Sequence, residues 1–176
     1  MSENPPAFPS GEYEEPSSFD AGNIAQWVEQ LREVPQRARL SVEGLNDEQL
    51  DTRYRNWTIR QIIHHIVDSH INCYVRFKWA LSEQEPTIKA YDETGWSQIA
   101  DAMTAPLESS LILLDGLHQR WCEMVERLSE EQLQRGFFHP ELEKVVRLRE
   151  ALPAYVWHSN HHLSQIQWVR DKHGWN

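Results

Sequence analysis

The chain has 176 residues, 40% of them apolar, enough for one domain with a core of its own. Acidic residues outnumber basic ones 27 to 17, a formal charge of −10, and no Lys/Arg-rich stripe is available to neutralise a phosphate backbone, which argues against nucleic acid and anionic membrane as partners. No apolar run is long enough to span a bilayer and the N-terminus is polar and Pro-rich, so a cytosolic protein is expected.

Residues 1–20 carry Pro5, Pro6, Pro9 and Pro16 and predict an extended arm outside the core, followed by a single domain over residues 21–176. From Asn23, the residues Ile24, Trp27, Val28, Leu31, Val34, Ala38 and Val42 recur at helical spacing, with Pro35 as a kink and Gly44 as the stop. Asn46 caps a short turn. Thr58 and Gln61 form a capping box that opens a long helix from Ile59 to about Leu81. The stretch from Ser82 to Thr104, with Pro86 and Gly95, reads as a crossover or a functional loop, because antiparallel neighbours are joined by shorter links. A third helix begins near Pro106 and carries the stripe Leu107, Leu111, Leu114, Leu117, Trp121, Val125 and Leu128. Ser129 and Gln132 repeat the capping-box pattern, and residues 136–148 read as a short β-hairpin. The last helix runs from about Arg149 to Lys172, its start moved to near Leu152 if Pro153 has to lie in the first turn. The predicted fold is all-α: a four-helix bundle with one hairpin and an N-terminal arm. Cys73 and Cys122 fall among apolar neighbours and read as buried structural thiols.

Six of the nine histidines sit on two of these helices, as His64, His65, His70 and His158, His161, His162. The i, i+4 pair His158 and His162 shares one helix face with Cβ atoms about 5–6 Å apart, a two-point clamp for an ion. A third ligand should come from a facing helix. At 100° per residue, His65 lies where the apolar sector meets a polar strip of Asp68, Ser69, Asn72 and Arg76, while His64 projects to solvent and His70 into the core. On the last helix His158, His162, Gln165 and Val169 group together, and His161 and Trp157 turn away. Spacing alone does not separate a metal clamp from ordinary hydrogen-bonded histidines, and His70 and His118 are expected to be of the latter kind.

The stretch Trp57-Thr-Ile-Arg-Gln-Ile-Ile-His-His-Ile-Val-Asp-Ser-His70, the continuation Asn72-Cys-Tyr-Val-Arg-Phe-Lys78, the segment Arg135-Gly-Phe-Phe-His-Pro140 and the closing Tyr155-Val-Trp-His-Ser-Asn-His-His162 resemble the YfiT branch of the DinB-like metalloenzymes. The resemblance runs from about Pro9 to Trp175. It implies a DinB-type four-helix bundle, usually a homodimer, with one metal on three histidines. The matching positions are His65, His158 and His162, the trio that projection selects. Members of the family are described as metal-dependent hydrolases, and relatives act as S-transferases on low-molecular-weight thiols such as bacillithiol. Here Asn160 replaces a histidine of the last motif, the loop before Trp57 lacks the usual Gly-Gly, and Pro153 stands where relatives often carry Gly.

Three neutral imidazoles leave a divalent ion, zinc or nickel, with open positions at which water or a thiol can be activated. Arg76 and Asn72 are then expected to anchor an anionic cosubstrate, and Asp68 to move a proton or to orient a ligand's second nitrogen. The competing expectation is a non-catalytic metal-binding or interaction protein in which the same histidines tie two helices together.

Overall fold

The computed structural model describes residues 4–175. Residues 4–20 carry no helix or strand, and residues 1–3 of the expected arm lie outside the described residues. Helix α1, Ala21–Val42, is capped by the Asp20 carboxylate, which accepts from the Asn23 N–H at 3.0 Å. The short α2, Asp47–Leu50, precedes a small antiparallel pair, β1 Arg53–Tyr54 and β2 Trp57–Thr58. Arg55 in the turn between these strands has φ of 53°, so a bulky side chain occupies a conformation that glycine would take without strain. The capping box of Thr58 and Gln61 then opens α3, Ile59–Ser82.

The expected long connection contains two short helices, α4 Glu93–Ser97 and α5 Ala100–Thr104. Helix α6, Glu108–Val125, and the short α7, Glu130–Leu133, lead into the predicted hairpin, β3 Gly136–His139 with β4 Lys144–Arg147. This hairpin is held to the crossover, since the Phe138 N–H donates to the Pro86 carbonyl and the Ile88 N–H to the Phe138 carbonyl. Helix α8 is Leu148–His173 and ends on Gly174 at φ 66°. Pro153 does not break it, contrary to the expected later start: the proline removes one i→i−4 bond near the helix start, from the Arg149 carbonyl, and the helix continues through it.

The four long helices form the expected bundle. Each of α1 and α3 packs against both α6 and α8. One apolar cluster gathers Val34 and Ala38, Ile59 to Val67, Leu107 to Leu114, and Leu163 to Val169. A second gathers Val28 and Leu31, Cys73 to Ala80, Trp121 to Val125, and Leu148 to Val156. Comparing which half of each helix enters which cluster gives the directions: α1 and α8 run one way, α3 and α6 the other. Parallel α3 and α6 cannot be joined by a tight turn, which is why the connection between them is long.

Between the two apolar clusters lies a belt of buried polar side chains that includes His65, His70, His118, Ser159 and His162. Its far end is explained by a proline. Pro35 inside α1 has no N–H to offer the Leu31 carbonyl, and His118 Nδ1 takes that acceptor at 2.5 Å. A carbonyl only accepts, so Nδ1 of His118 carries the hydrogen and Nε2 is the acceptor for His70 Nδ1–H at 2.8 Å. His70 and His118 are thus hydrogen-bonded core histidines, and both cysteines are free and buried. Among the described residues no helix is long and apolar enough to cross a membrane.

Candidate metal centre

His65 comes from α3 and His158 and His162 from the facing α8, and one donor nitrogen from each lies within 4.8 Å of the others. His65 Nε2 and His158 Nε2 are 3.1 Å apart. Two nitrogens bound to one ion at about 2.0–2.1 Å, at angles between square and tetrahedral, stand about 2.9–3.4 Å apart, so this spacing fits shared ligation. Burial holds the imidazoles in the neutral form that ligation needs. It depresses His65 to about 4, with His161 adding to the effect. It also takes His158 and His162 well below the ordinary histidine value, helped by the neighbouring rings.

The tautomer of His162 is set by Gln165, one turn along the same face of α8. Gln165 Oε1 lies 2.8 Å from His162 Nδ1, so Nδ1 carries the hydrogen and Nε2 keeps its lone pair for an ion. The amide's other end, Nε2, donates to His161 Nε2 at 2.8 Å. Trp57, from β2, packs on His65 with centroids 4.5 Å apart and stacks over His162 at 6.0 Å. These rings line a cavity of about 670 Å³ that reaches Glu93, Trp157 and Ala7 of the arm.

The arm forms part of the site. Tyr54 donates its hydroxyl to the Pro6 carbonyl, Trp157 Nε1 donates to the Gly11 carbonyl at 3.0 Å, and Phe8 packs on His161 with centroids 5.7 Å apart. The expectation that His161 and Trp157 turn away is therefore corrected. They stack on each other at 5.1 Å and both line the histidine cavity, because the arm covers the side of α8 that an isolated bundle would leave to solvent.

Three other sequence expectations are also corrected. His64 is buried, with Nδ1 2.8 Å from Ser110 Oγ and Nε2 3.3 Å from the Ala105 carbonyl, because α5 and α6 cover the face expected to meet solvent. Among the described residues no hydrogen bond joins Asp68 to a ring nitrogen of the trio, so of its two expected roles the orienting one is overturned; Gln165 holds His162 instead, and Nδ1 of His158 has no partner. Asn72 folds back on its own helix, donating to the Asp68 carbonyl at 2.8 Å, and does not line the cavities beside the histidines. Asp68 is half-buried one turn beyond His65, and burial, reinforced by the nearby Asp101, pushes its carboxyl up to about 6. Arg76 does reach a cavity. It lines a second space of about 550 Å³ together with Tyr91, His139, Glu141 and the shared residues Trp157 and His158.

The fold and this centre define a helical-bundle protein with a three-histidine site suited to one divalent metal. The chain belongs to the DinB superfamily, whose family pattern matches residues 30–166. It is 42% identical over 172 residues to a Bacillus subtilis protein named "Putative metal-dependent hydrolase YfiT", covering 97% of each chain. It is 39% identical to a protein of the same description from Geobacillus thermodenitrificans, covering 98% of each. The solved structure of Bacillus subtilis YfiT, described as having an unusual four-helix bundle topology, superimposes with a TM-score of 0.93 over 97% of this chain and 98% of that one.

Proposed function

We propose that this chain is a metal-dependent hydrolase that acts on a small molecule, with one divalent ion, zinc or nickel, held by His65, His158 and His162. The observation that carries the reading is the meeting of three neutral imidazoles, His65 and His162 buried and His158 half-buried, at one point on the wall of a cavity. A structural site would be closed by a fourth protein ligand, and no cysteine or carboxylate joins the trio among the described residues. When bound, the ion would supply Lewis acidity and make a nucleophile available near neutral pH.

The chain's own residues supply the rest. Gln165 fixes the lone pair of His162, and Trp57 and Trp157 line the cavity and narrow its access. Asp68, half-buried one turn beyond His65 with its carboxyl raised to about 6, can hold a proton near neutral pH. A second reading, transfer of a low-molecular-weight thiol, is favoured by one observation: the buried Arg76 guanidinium in the adjoining cavity would grip a carboxylate of an anionic thiol cosubstrate.

The test is metal analysis of the purified protein, followed by a screen of ester and amide substrates and of thiol conjugation to an electrophile. His65→Ala, His158→Ala and His162→Ala serve as controls. Each variant is expected to lose bound metal and activity together. A variant that loses the metal yet turns over substrate at the wild-type rate would overturn the reading.

A further inference from the structure

Three arginines are buried, and they differ in what they hold. Arg60, 4% exposed, pairs with Asp47 and Asp51 at 2.8 Å each and donates to the Ala105 carbonyl. Arg170, 9% exposed, donates to the carbonyls of Ser41, Glu43 and Trp175. Arg76, 8% exposed, makes no hydrogen bond or ion pair with any described residue, and its buried Nε has no acceptor. Its one packing partner of note is the Phe137 ring, 6.0 Å from the guanidinium carbon. Only Nε is sealed from solvent; the Nη atoms, bonded to no protein acceptor, are the part of the guanidinium left to meet an anion at the cavity that Arg76 lines.

The surroundings of Arg76 say more. His139 lines the same cavity, and its Nδ1 is also buried without a partner. Arg76 from α3 and His139 from β3 therefore line one space. On the other side stand Glu93 and Glu141 with Asp92, and burial, reinforced by Glu141 and Asp92, raises the carboxyl of Glu93. Neither glutamate forms an ion pair with Arg76 or with any other described residue. The cavity thus holds one guanidinium on one side and carboxylates on the other, joined by no ion pair, with a volume in the range of small-molecule sites.

We propose that this second cavity binds a small zwitterion, an amino acid or a short peptide, with its carboxylate on Arg76 and His139 and its ammonium between Glu93 and Glu141. The assignment deepens the proposed function and rests on it in one respect: Trp157 and His158 line both cavities, so a ligand seated here presents its remaining part to the three histidines. Arg76 follows His65 by eleven residues, three helical turns or about 16 Å along one face of α3, and a long side chain leans back toward the helix N-terminus. A group of dipeptide length bridges the remaining distance.

The test measures binding in metal-free protein kept in chelator, so that its failure is separate from failure of the metal reading. The probes are L-alanyl-L-alanine, its N-acetyl derivative and its C-terminal amide, titrated by calorimetry and by Trp fluorescence. The free dipeptide is expected to bind at millimolar or lower concentration, and each cap to weaken it about 10-fold or more, the scale of one charge-assisted contact. Arg76→Met should abolish the difference between acid and amide while leaving the N-acetyl penalty. The pair Glu93→Gln with Glu141→Gln should do the converse. Arg76→Met is also expected to melt no lower than wild type, because it removes a buried charge that no protein group balances; a lower melting point would mark a structural role and overturn the assignment. Equal binding of all three probes, or of the free and N-acetyl forms, overturns it, as does no binding of any at 10 mM, a ceiling set at about 3 kcal/mol of binding free energy.

Discussion

Replacing Gln165 with Leu is expected to weaken the metal site without unfolding the protein. In the wild type Gln165 Oε1 accepts from His162 Nδ1 at 2.8 Å, which leaves Nε2 free to ligate. Leu keeps the volume and removes the acceptor. Without an ion the His162 ring can move its hydrogen to Nε2 and avoid a buried orphan at Nδ1. With an ion bound, Nε2 must be bare and Nδ1–H is left unpaired at a residue only 7% exposed. The cost therefore falls on the loaded state, at about 1–3 kcal/mol for an unsatisfied buried donor, equivalent to about 5- to 150-fold in metal affinity. Gln165→Glu should do the reverse, since a carboxylate accepts more strongly and His161 can turn its hydrogen to Nε2 to meet it. The assay is competition for zinc against a chromophoric chelator, with the melting point of the metal-free protein as a control for folding. Wild-type affinity in Gln165→Leu, or weaker binding in Gln165→Glu than in Gln165→Leu, would refute the reasoning.

Two further outcomes are expected. His118→Phe leaves the Leu31 carbonyl and the His70 Nδ1–H without partners and should cost about 3 kcal/mol in urea unfolding at pH 7. Burial holds His118 down to about 4, against about 6.5 when unfolded, so its contribution is full above about pH 6.5 and is lost as the pH falls toward 4; the wild type should lose stability over that window and the variant less steeply. Asp68→Asn should act in the opposite sense. With its folded carboxyl raised to about 6, Asp68 favours the native state below about pH 4 and progressively less as the pH rises through 6. The variant should therefore be more stable than wild type at pH 7.5, by about 1 kcal/mol after solvent screening, and no more stable at pH 3.5. A gain that persists at low pH would point to packing and not to charge.

Local signals carried much of the bundle into the sequence. The capping boxes at Thr58 and Ser129 mark helix starts because the bonded partners lie three residues apart, and both are present. The apolar stripes of α3 and α6 and the hairpin after Gly136 were legible for the same reason. His65 could be separated from His64 and His70 because helical projection needs only the period of 3.6 residues. What was illegible depended on distant chain. His64 is buried by α6 together with the end of α5, and α5 lies in a stretch without clear periodicity, so the covering of this face depends on tertiary packing that helical projection does not contain. The hydrogen-bonding role of Gln165 follows from the rotamers of His161 and His162, although its position beside His162 on the helical projection was a usable signal. Pro153 was read as a possible break because its cost was judged locally, whereas packing of α8 against α1 and α3 outweighs one lost bond near the helix start.

The arm carries a consequence of its own. The helices supply the three histidines, yet part of the cavity wall comes from Ala7, and Tyr13 lines the neighbouring cavity, on a stretch with no regular secondary structure. Ligation and the shape of the entrance are thus encoded in separate parts of the chain. The arm rests on the bundle through a few rings, Phe8 and Tyr13 on Trp157 and Phe19 on Trp27, so the cavity mouth can change through a handful of residues while the three histidines stay where the helices hold them. Grafting residues 4–17 between relatives of this fold, which leaves the Asp20 cap of α1 in place, would in that case move selectivity as a cassette, leaving metal affinity where the helices set it.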